Sequence, residues 1–180
     1  EYEARLKTLN ALDFDDLLVK TLELLADHPP VLDVYRKRFQ YVMVDEYQDT
    51  NEVQNAIFRA VSREGKNLFT VGDVKQSIYR FRLADPTIFL DKYRNFTHAE
   101  NAAEGEDRKI LLSKNFRSRG EILDAANFIF SNILSAEMGE MEYGEDESLH
   151  FGAEYYPPRK DCETEFHLIS AHQKSAANER

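Results

Sequence analysis

The segment Tyr41–Asn51, YVMVDEYQDTN, decides the fold of this chain. Its apolar run Tyr41–Val44 is too short for a helix and leads directly into the acidic pair Asp45 and Glu46. A short apolar run that ends in this way is typical of a buried parallel strand whose carboxyl end is a functional edge. The segment therefore predicts an α/β fold with carboxylates at one edge of a parallel sheet.

The sequence that follows completes a strand–helix–strand unit. Thr50 is predicted to cap a helix over Glu52–Arg63, and Asn67–Gly72 is predicted to be a second buried strand that ends in Asp73. Two strands joined by one helix pair in parallel, and ligands then lie at the carboxyl ends of the strands. Both strands end in turns that carry acidic residues.

Further elements are predicted on both sides of this unit from apolar periodicity, caps and prolines. They are a helix over Ala11–Ala26 capped by Asp13 or Asp15, a short helix over Val31–Phe39, a helix from Asp85-Pro86 to about Tyr93, a buried strand over Lys109–Ser113, a helix over Arg119–Leu134 and a strand-like run over Glu165–Ile169.

Composition narrows the function classes. The chain has 180 residues, of which 42% are apolar, and a single cysteine, Cys162. No apolar run approaches the roughly 18 residues of a membrane span, so we expect no membrane contact and a cytoplasmic location. One cysteine and five histidines leave no zinc cluster, so any metal would be held by oxygen atoms.

The net charge of −10 argues against a generally basic surface for nucleic acid. The acids are unevenly placed, however: the stretches 99–107 and 137–147 hold four and six acids and no Lys or Arg. The remaining chain is neutral and carries local basic clusters. Binding of DNA at a local site therefore remains open.

Asp45 and Glu46 suit the hydrolysis of a magnesium nucleotide. The first carboxylate can orient Mg²⁺, and the second can accept a proton from the attacking water. The alternative for an Asp-Glu pair after a strand is a solvated turn.

A second candidate segment follows the second strand. Gln76 can sense a γ-phosphate oxygen or the attacking water, and Tyr79 and Phe81 alternate with arginines such as Arg82, which suits base stacking and phosphate contact. The alternative is a surface helix in which Ile78, Tyr79 and Phe81 are buried.

The third candidate segment is Asn115–Ser118. Phe116 can stack on a base, and Arg117 can stabilise charge on a phosphoryl group in transfer. The alternative is a turn in which Ser118 caps the next helix and Phe116 belongs to the core.

In order, DEYQDTN at Asp45–Asn51, VGDVKQSIYRFR at Val71–Arg82 and NFRS at Asn115–Ser118 resemble motifs II, III and IV of superfamily 1 DNA helicases of the UvrD/Rep/PcrA type. KQSIYRFRLADPTIF at Lys75–Phe89 and FGAEYYP at Phe151–Pro157 resemble most the AddA (RecB-like) helicase-nuclease family of double-strand-break repair. The resemblance extends from about residue 11 to 170.

The resemblance implies a partial RecA-like (P-loop NTPase) helicase motor with the start of a second RecA-like domain. It implies ATP and Mg²⁺ as cofactors, single-stranded DNA as a partner and, for a full-length protein, an AddB-like partner protein. The implied residue roles are Mg²⁺ binding by Asp45, activation of water by Glu46, coupling of γ-phosphate to DNA by Gln76, DNA contact by Tyr79, Phe81 and Arg82, adenine stacking by Phe116 and γ-phosphate contact by Arg117.

The chain departs from that family because it has no G-x-x-x-x-G-K-[ST] loop. Its Gly65-Lys66 pair is followed by Asn67 and has Ala60 at the position of the first glycine. Motifs V and VI and a nuclease domain are missing too, so we expect an internal piece of a larger protein that hydrolyses ATP negligibly by itself.

The expected domains are the latter part of the first motor domain over 1–97, an acidic loop over 98–107, the start of the second motor domain over 108–136 and an acidic linker with the entry to an inserted domain over 137–180. Two other functions stay open. One is a catalytically inactive module that binds single-stranded DNA, and the other is an acidic α/β interaction protein whose motifs are coincidental.

Overall fold

A computed structural model describes residues 1–139, 141–157 and 164–169. The chain divides into two compact units, Glu1–Ile110 and Leu111–Arg180. The limits of the motor domains remain a prediction. Within the described ranges, every helix is too short or too polar to cross a bilayer.

Three helices open the first unit, α1 (Tyr2–Leu9), α2 (Phe14–Asp27) and α3 (Pro29–Arg38). A capping box begins α2: the carboxylate of Asp13 accepts the N–H of Asp16 at 2.8 Å, and the carboxylate of Asp16 accepts the N–H of Asp13 at 3.3 Å. The helix ends before two prolines, which disfavour the helical conformation in the residue that precedes them. Both predicted helices and the Asp13 cap are confirmed.

The predicted strand–helix–strand unit is confirmed. Strand β1 (Val42–Val44) pairs in parallel with β2 (Leu68–Thr70), and α4 (Glu52–Val61) connects them. The cap predicted for α4 is wrong by one residue.

Asn51, and not Thr50, caps α4. The Asn51 side chain accepts the N–H of Gln54 at 2.9 Å, and the Gln54 side chain accepts the N–H of Asn51 at 3.1 Å. Thr50 is buried, and its carbonyl accepts the N–H of Asp85 at 3.0 Å. The asparagine can satisfy two helix N–H groups with its partner, which explains why it takes the cap.

The prediction that both strands are buried is correct for only one face of the pair. Met43 and Phe69 are partners in register, and they are 76% and 56% exposed. Val42 and Val44 on the opposite face are half-buried. Because successive side chains of a strand point to opposite faces, the described residues cover a single face of this two-stranded sheet.

The rest of the first unit contains α5 (Thr87–Asn95), which follows Pro86 as predicted, and a parallel pair of β3 (Thr97–His98) and β4 (Arg108–Lys109). The prediction of a buried strand over Lys109–Ser113 is wrong. Pairing ends at Lys109, and Ile110 and Leu112 are 65% and 83% exposed.

The second unit is built on α6 (Gly120–Ile133), which confirms the predicted helix. A parallel pair of β5 (Lys114–Asn115) and β6 (His150–Phe151) lies beside it, and α7 (Ala136–Gly139) is short. The run Glu165–Ile169 has no regular structure and is exposed, so the strand predicted there is wrong. The buried apolar side chains are Leu25, Tyr47, Ala84 and Leu90 in the first unit and Leu123 and Ala153 in the second, among the described residues.

Candidate functional site

The parallel pair brings together the turns that follow β1 and β2. The N–H of Val71 donates to the carbonyl of Val44 at 2.9 Å, and the N–H of Tyr47 donates to the carbonyl of Val71 at 2.9 Å. These bonds continue beyond the strands themselves. They place the turn containing Asp45 and Glu46 beside the turn that leads into Asp73.

The acidic turn presents both carboxylates to solvent. The Asp45 carboxylate accepts the N–H of Glu46 at 2.9 Å. Glu46 has φ 50° and ψ 41°, a left-handed conformation that costs a residue with a side chain roughly 1 kcal/mol. Solvent exposure agrees with the solvated-turn alternative. The contacts of the Glu46 side chain go beyond that alternative.

Gln48 bridges the two turns, and the sequence predictions missed it. Its side-chain amide donates to the Glu46 carboxylate at 2.8 Å, and its amide oxygen accepts the N–H of Asp73 at 3.1 Å. The residue is only 1% exposed. We call these two hydrogen bonds the Gln48 bridge. A polar residue within an otherwise apolar path into the core was the signal in the sequence that could have revealed it.

Gly72 makes room for the Gln48 bridge. A Cβ atom on Gly72 would lie 2.6 Å from the Gln48 amide oxygen, 3.1 Å from the Phe89 ring and 3.2 Å from the Tyr47 nitrogen. The first of these distances is shorter than any ordinary contact. A glycine at this position therefore allows the amide of Gln48 to reach the second turn.

The network continues from Asp73 to Gln76. The Asp73 carboxylate accepts the backbone N–H of Lys75 at 3.0 Å, forms a salt bridge with the Lys75 ammonium at 2.9 Å, and accepts the side-chain amide of Gln76 at 3.0 Å. Gln76 is exposed. A continuous chain of hydrogen bonds thus runs from Glu46 through Gln48 and Asp73 to Gln76.

A buried oxygen of Asp49 near this turn has no hydrogen-bond partner among the described residues. Burial raises the pKa of Asp49 above its ordinary value, and the charge of Glu46 raises it further. The donors at this edge are carboxylate oxygens, which suit Mg²⁺. No group of three or more His, Cys, Asp or Glu suited to a metal occurs in the described residues. The residues present fit an ion that keeps most of its water ligands.

The aromatic and arginine segment is exposed, which makes the buried-helix alternative for it wrong. Ile78 and Phe81 are 68% and 75% exposed, and Tyr79 is 39% exposed. The Arg82 guanidinium lies over both aromatic rings, 5.5 Å from the centre of Tyr79 and 5.4 Å from the centre of Phe81. The segment forms a short 3₁₀ turn over Arg80–Arg82. Exposed rings beside a cation can accept a flat base.

Phe116 and Arg117 lie in the second unit, in a loop between β5 and α6. Phe116 is 60% exposed, and the Asn115 side chain accepts the N–H of Arg117 at 2.9 Å and of Ser118 at 2.8 Å. The residue that precedes α6 is Arg119, and no side chain caps this helix. The alternative with a Ser118 cap and a core Phe116 is therefore wrong.

Comparison with known proteins identifies a family. Residues 1–97 match the UvrD/REP helicase N-terminal domain. The chain is similar to proteins named as the AddA subunit of an ATP-dependent helicase/nuclease, from Clostridium kluyveri (43% identity over 94% of this chain), Alkaliphilus oremlandii (48% over 88%) and Staphylococcus haemolyticus (44% over 96%). The chain spans only 13–14% of the length of these relatives.

Proposed function

Because this chain belongs to the UvrD/REP helicase N-terminal domain family, we propose that it is part of an ATP-dependent DNA helicase of superfamily 1. The larger protein would couple hydrolysis of ATP to movement along single-stranded DNA and to unwinding, in recombinational repair of double-strand breaks. The relatives' name, which describes one component of a helicase/nuclease, supports this proposal. It also suggests a cytoplasmic location and an AddB-like partner protein.

One observation carries the proposal: the hydrogen-bond chain from Glu46 to Gln76. It joins a carboxylate after the first strand to an amide after the second, at the carboxyl ends of a parallel pair. Ligands of parallel sheets bind at this edge. A general base and a phosphate sensor held in one network suit the detection and hydrolysis of a nucleotide.

Each proposed role follows from the group at that position. The Glu46 carboxylate would accept a proton from the attacking water, and the Gln76 amide would contact the γ-phosphate. Asp45 would hold Mg²⁺ mainly through water, and the ion would neutralise charge on the phosphates. Phe116 would stack on adenine, and Arg117 would contact the γ-phosphate. The proposed fold around these residues is RecA-like.

The proposed domains are those expected from the motifs, with the first motor domain over 1–97 and the second from 108 to 136. The acidic loop over 98–107 would separate them, and residues 137–180 would lead to an inserted domain. Since this sequence has no phosphate-binding loop, we propose that the 180-residue chain hydrolyses ATP negligibly. A magnesium-dependent rate that Glu46→Gln abolishes would contradict this.

The exposed rings support a second candidate function, which is binding of single-stranded DNA without catalysis. Tyr79, Phe81 and Arg82 form one exposed cation–aromatic cluster. Stacking of a base on an aromatic side chain contributes about 1–3 kcal/mol. Phe81→Ala is therefore expected to weaken binding of the chain to a labelled oligothymidine about tenfold, as measured by fluorescence anisotropy at low salt.

Phe14→Ala provides a matched control for this experiment. Phe14 is 88% exposed on α2, away from the motifs, so its removal should leave DNA affinity unchanged. Arg82→Ala should weaken binding and reduce its dependence on salt, because one phosphate contact is lost. Equal affinities for the original chain, Phe81→Ala and Arg82→Ala would refute this DNA site.

A further inference from the structure

A segment near the end of the second unit returns to the loop that bears Phe116 and Arg117. The N–H of His150 donates to the carbonyl of Ser113 at 2.9 Å, and the N–H of Gly152 donates to the carbonyl of Asn115 at 2.9 Å. These bonds form the parallel pair of β5 and β6. They place the residues after β6 next to the loop after β5.

Two consecutive tyrosines then bond to two consecutive carbonyls of that loop. The Tyr155 hydroxyl donates to the carbonyl of Phe116 at 2.5 Å, and the Tyr156 hydroxyl donates to the carbonyl of Arg117 at 2.6 Å. The two tyrosine rings lie 4.7 Å apart. We call this pair of hydrogen bonds the tyrosine clamp.

Neighbouring contacts fix both sides of the tyrosine clamp. A Cβ atom on Gly152 would lie only 2.8–3.2 Å from atoms of the Phe116 ring, so the glycine seats the ring against the segment. The Arg119 guanidinium lies 4.7 Å from the centre of the Tyr156 ring and donates to the carbonyl of Pro157 at 2.8 Å. The segment is therefore held from the start of α6 as well.

We propose that Tyr155 and Tyr156 are positioning residues, which fix the backbone of Phe116 and Arg117 so that the ring and the guanidinium meet an adenine nucleotide. This inference rests on the proposed function of those two residues. Both hydroxyls bond to the backbone of the two proposed nucleotide contacts, whose own side chains are exposed. A loop fixed in advance loses less conformational entropy when a ligand binds.

Amide hydrogen exchange tests the clamp independently of any function. The N–H groups of Arg117 and Ser118 are hydrogen-bonded to Asn115, so their exchange reports on the loop. Tyr155→Phe and Tyr156→Phe remove only the hydroxyls. Each is expected to accelerate exchange of these two amides about threefold to tenfold, the effect of losing one hydrogen bond, with little change in the unfolding midpoint.

Tyr143→Phe is the matched control. Its hydroxyl bonds to the Asn127 side chain at 2.6 Å elsewhere in the second unit, so its removal should leave exchange in the loop unchanged. If neither clamp variant accelerates exchange at Arg117 and Ser118, or if Tyr143→Phe accelerates it equally, the clamp is overturned.

Nucleotide binding tests the positioning role, with affinities taken from amide chemical shifts of the chain during titration. Tyr155→Phe should weaken ATP at least threefold and leave tripolyphosphate unaffected, because it frees the carbonyl of Phe116, whose ring contacts the base. Tyr156→Phe should weaken both ligands, because it frees the carbonyl of Arg117. A general loss of structure would not produce this split.

Phe116→Ala separates the failure of this inference from the failure of the proposed function. If Phe116→Ala weakens ATP while both tyrosine variants bind it normally, the positioning role is overturned and the nucleotide site stands. If Phe116→Ala binds ATP as tightly as the original chain, the proposed nucleotide site fails and the positioning role fails with it.

Discussion

Substitutions of Gln48 test the network on which the proposed function rests. Gln48→Ala removes both hydrogen bonds of the Gln48 bridge, one of them to the carboxylate of Glu46. A hydrogen bond to a charged group contributes about 1.5–3 kcal/mol, and an unsatisfied buried N–H, here that of Asp73, costs about 1–3 kcal/mol. Since Glu46 is exposed and its charge is partly screened, we take the lower part of each range. The expected loss is about 2–4 kcal/mol of unfolding free energy.

Gln48→Glu separates the two bonds. It keeps an oxygen for the N–H of Asp73 but places a second carboxylate against Glu46, where the amide now donates at 2.8 Å. Burial and the like charge would raise the pKa of the new carboxyl above its unfolded value of about 4.3. A carboxyl with a raised folded pKa stabilises fully below the unfolded pKa, and that stability is lost as pH rises through the folded pKa.

The assay is urea unfolding followed by circular dichroism at pH 7.5 and at pH 4.5. Gln48→Glu should be destabilised by about 2–3 kcal/mol at pH 7.5 and by less than half of that at pH 4.5, whereas Gln48→Ala should show the same loss at both values. The double variant Glu46→Gln with Gln48→Glu restores an amide–carboxylate pair in the opposite sense. It should recover most of the stability at pH 7.5.

Three results would refute this reasoning. A loss below about 0.5 kcal/mol for Gln48→Ala would mean that the bridge contributes no more than an ordinary surface contact. Equal stability of Gln48→Glu at the two pH values would mean that its carboxyl does not face Glu46. A double variant no more stable than the less stable of the two single variants would mean that residues 46 and 48 are not coupled.

Two further predictions concern the support of the same unit. Gly72→Ala forces a Cβ atom to 2.6 Å from the Gln48 amide oxygen and should cost about 1–3 kcal/mol in urea unfolding, whereas Gly120→Ala, whose Cβ would lie 3.9 Å from its nearest neighbours, should cost nothing; equal effects would argue against a close approach at Gly72. The pKa of Asp13 is lowered, first by the backbone N–H at the start of α2 and then by the Tyr2 hydroxyl, so its stabilising effect is present above the unfolded pKa of 3.8 and is lost as pH falls through the folded pKa. Asp13→Ala should therefore lower the melting temperature at pH 7, and the gap to the original chain should close below pH 3.8; a gap that persists there would contradict the capping interaction.

The local elements of this fold could be predicted because their signals lie within a few residues of each other. Asp13 precedes an apolar helical stripe, and the pair Pro29-Pro30 ends it, so α2 follows from neighbouring residues alone. The exposure of Met43 and Phe69 could not be predicted in the same way. A run of three or four apolar residues has no readable period, and its burial depends on what covers the second face of the sheet. Propensity gives no information on that.

The strand predicted over Lys109–Ser113 failed for a related reason. An apolar run becomes a strand only when a partner backbone extends alongside it, and the partner Thr97–His98 provides two residues. The run of residues 110–113 therefore has the composition of a strand without the pairing. Pairing is a property of sequence-distant segments, which composition does not report.

The same distinction separates the functional residues that were predicted from those that were missed. Glu46, Gln76 and Phe116 attract attention because their chemical groups suit a nucleotide, and the structure leaves all three exposed. Exposed side chains have many accessible rotamers, and a reaction that needs a fixed geometry requires other groups to restrict them. Restriction of this kind comes from residues that are close in space and remote in sequence.

In both units these restraining residues bond to backbone or to a single functional side chain. Gln48 reaches the N–H of Asp73, 25 positions along the chain, and Tyr155 reaches the carbonyl of Phe116, 39 positions back. Both contacts depend on the register of a parallel strand pair, β1 with β2 and β5 with β6. A shift of either pair by one residue would leave every functional group in the sequence and would remove its support. Loss of these supports should therefore affect ligand binding or stability while the motifs themselves remain intact, and the Gln48 and tyrosine variants measure this difference.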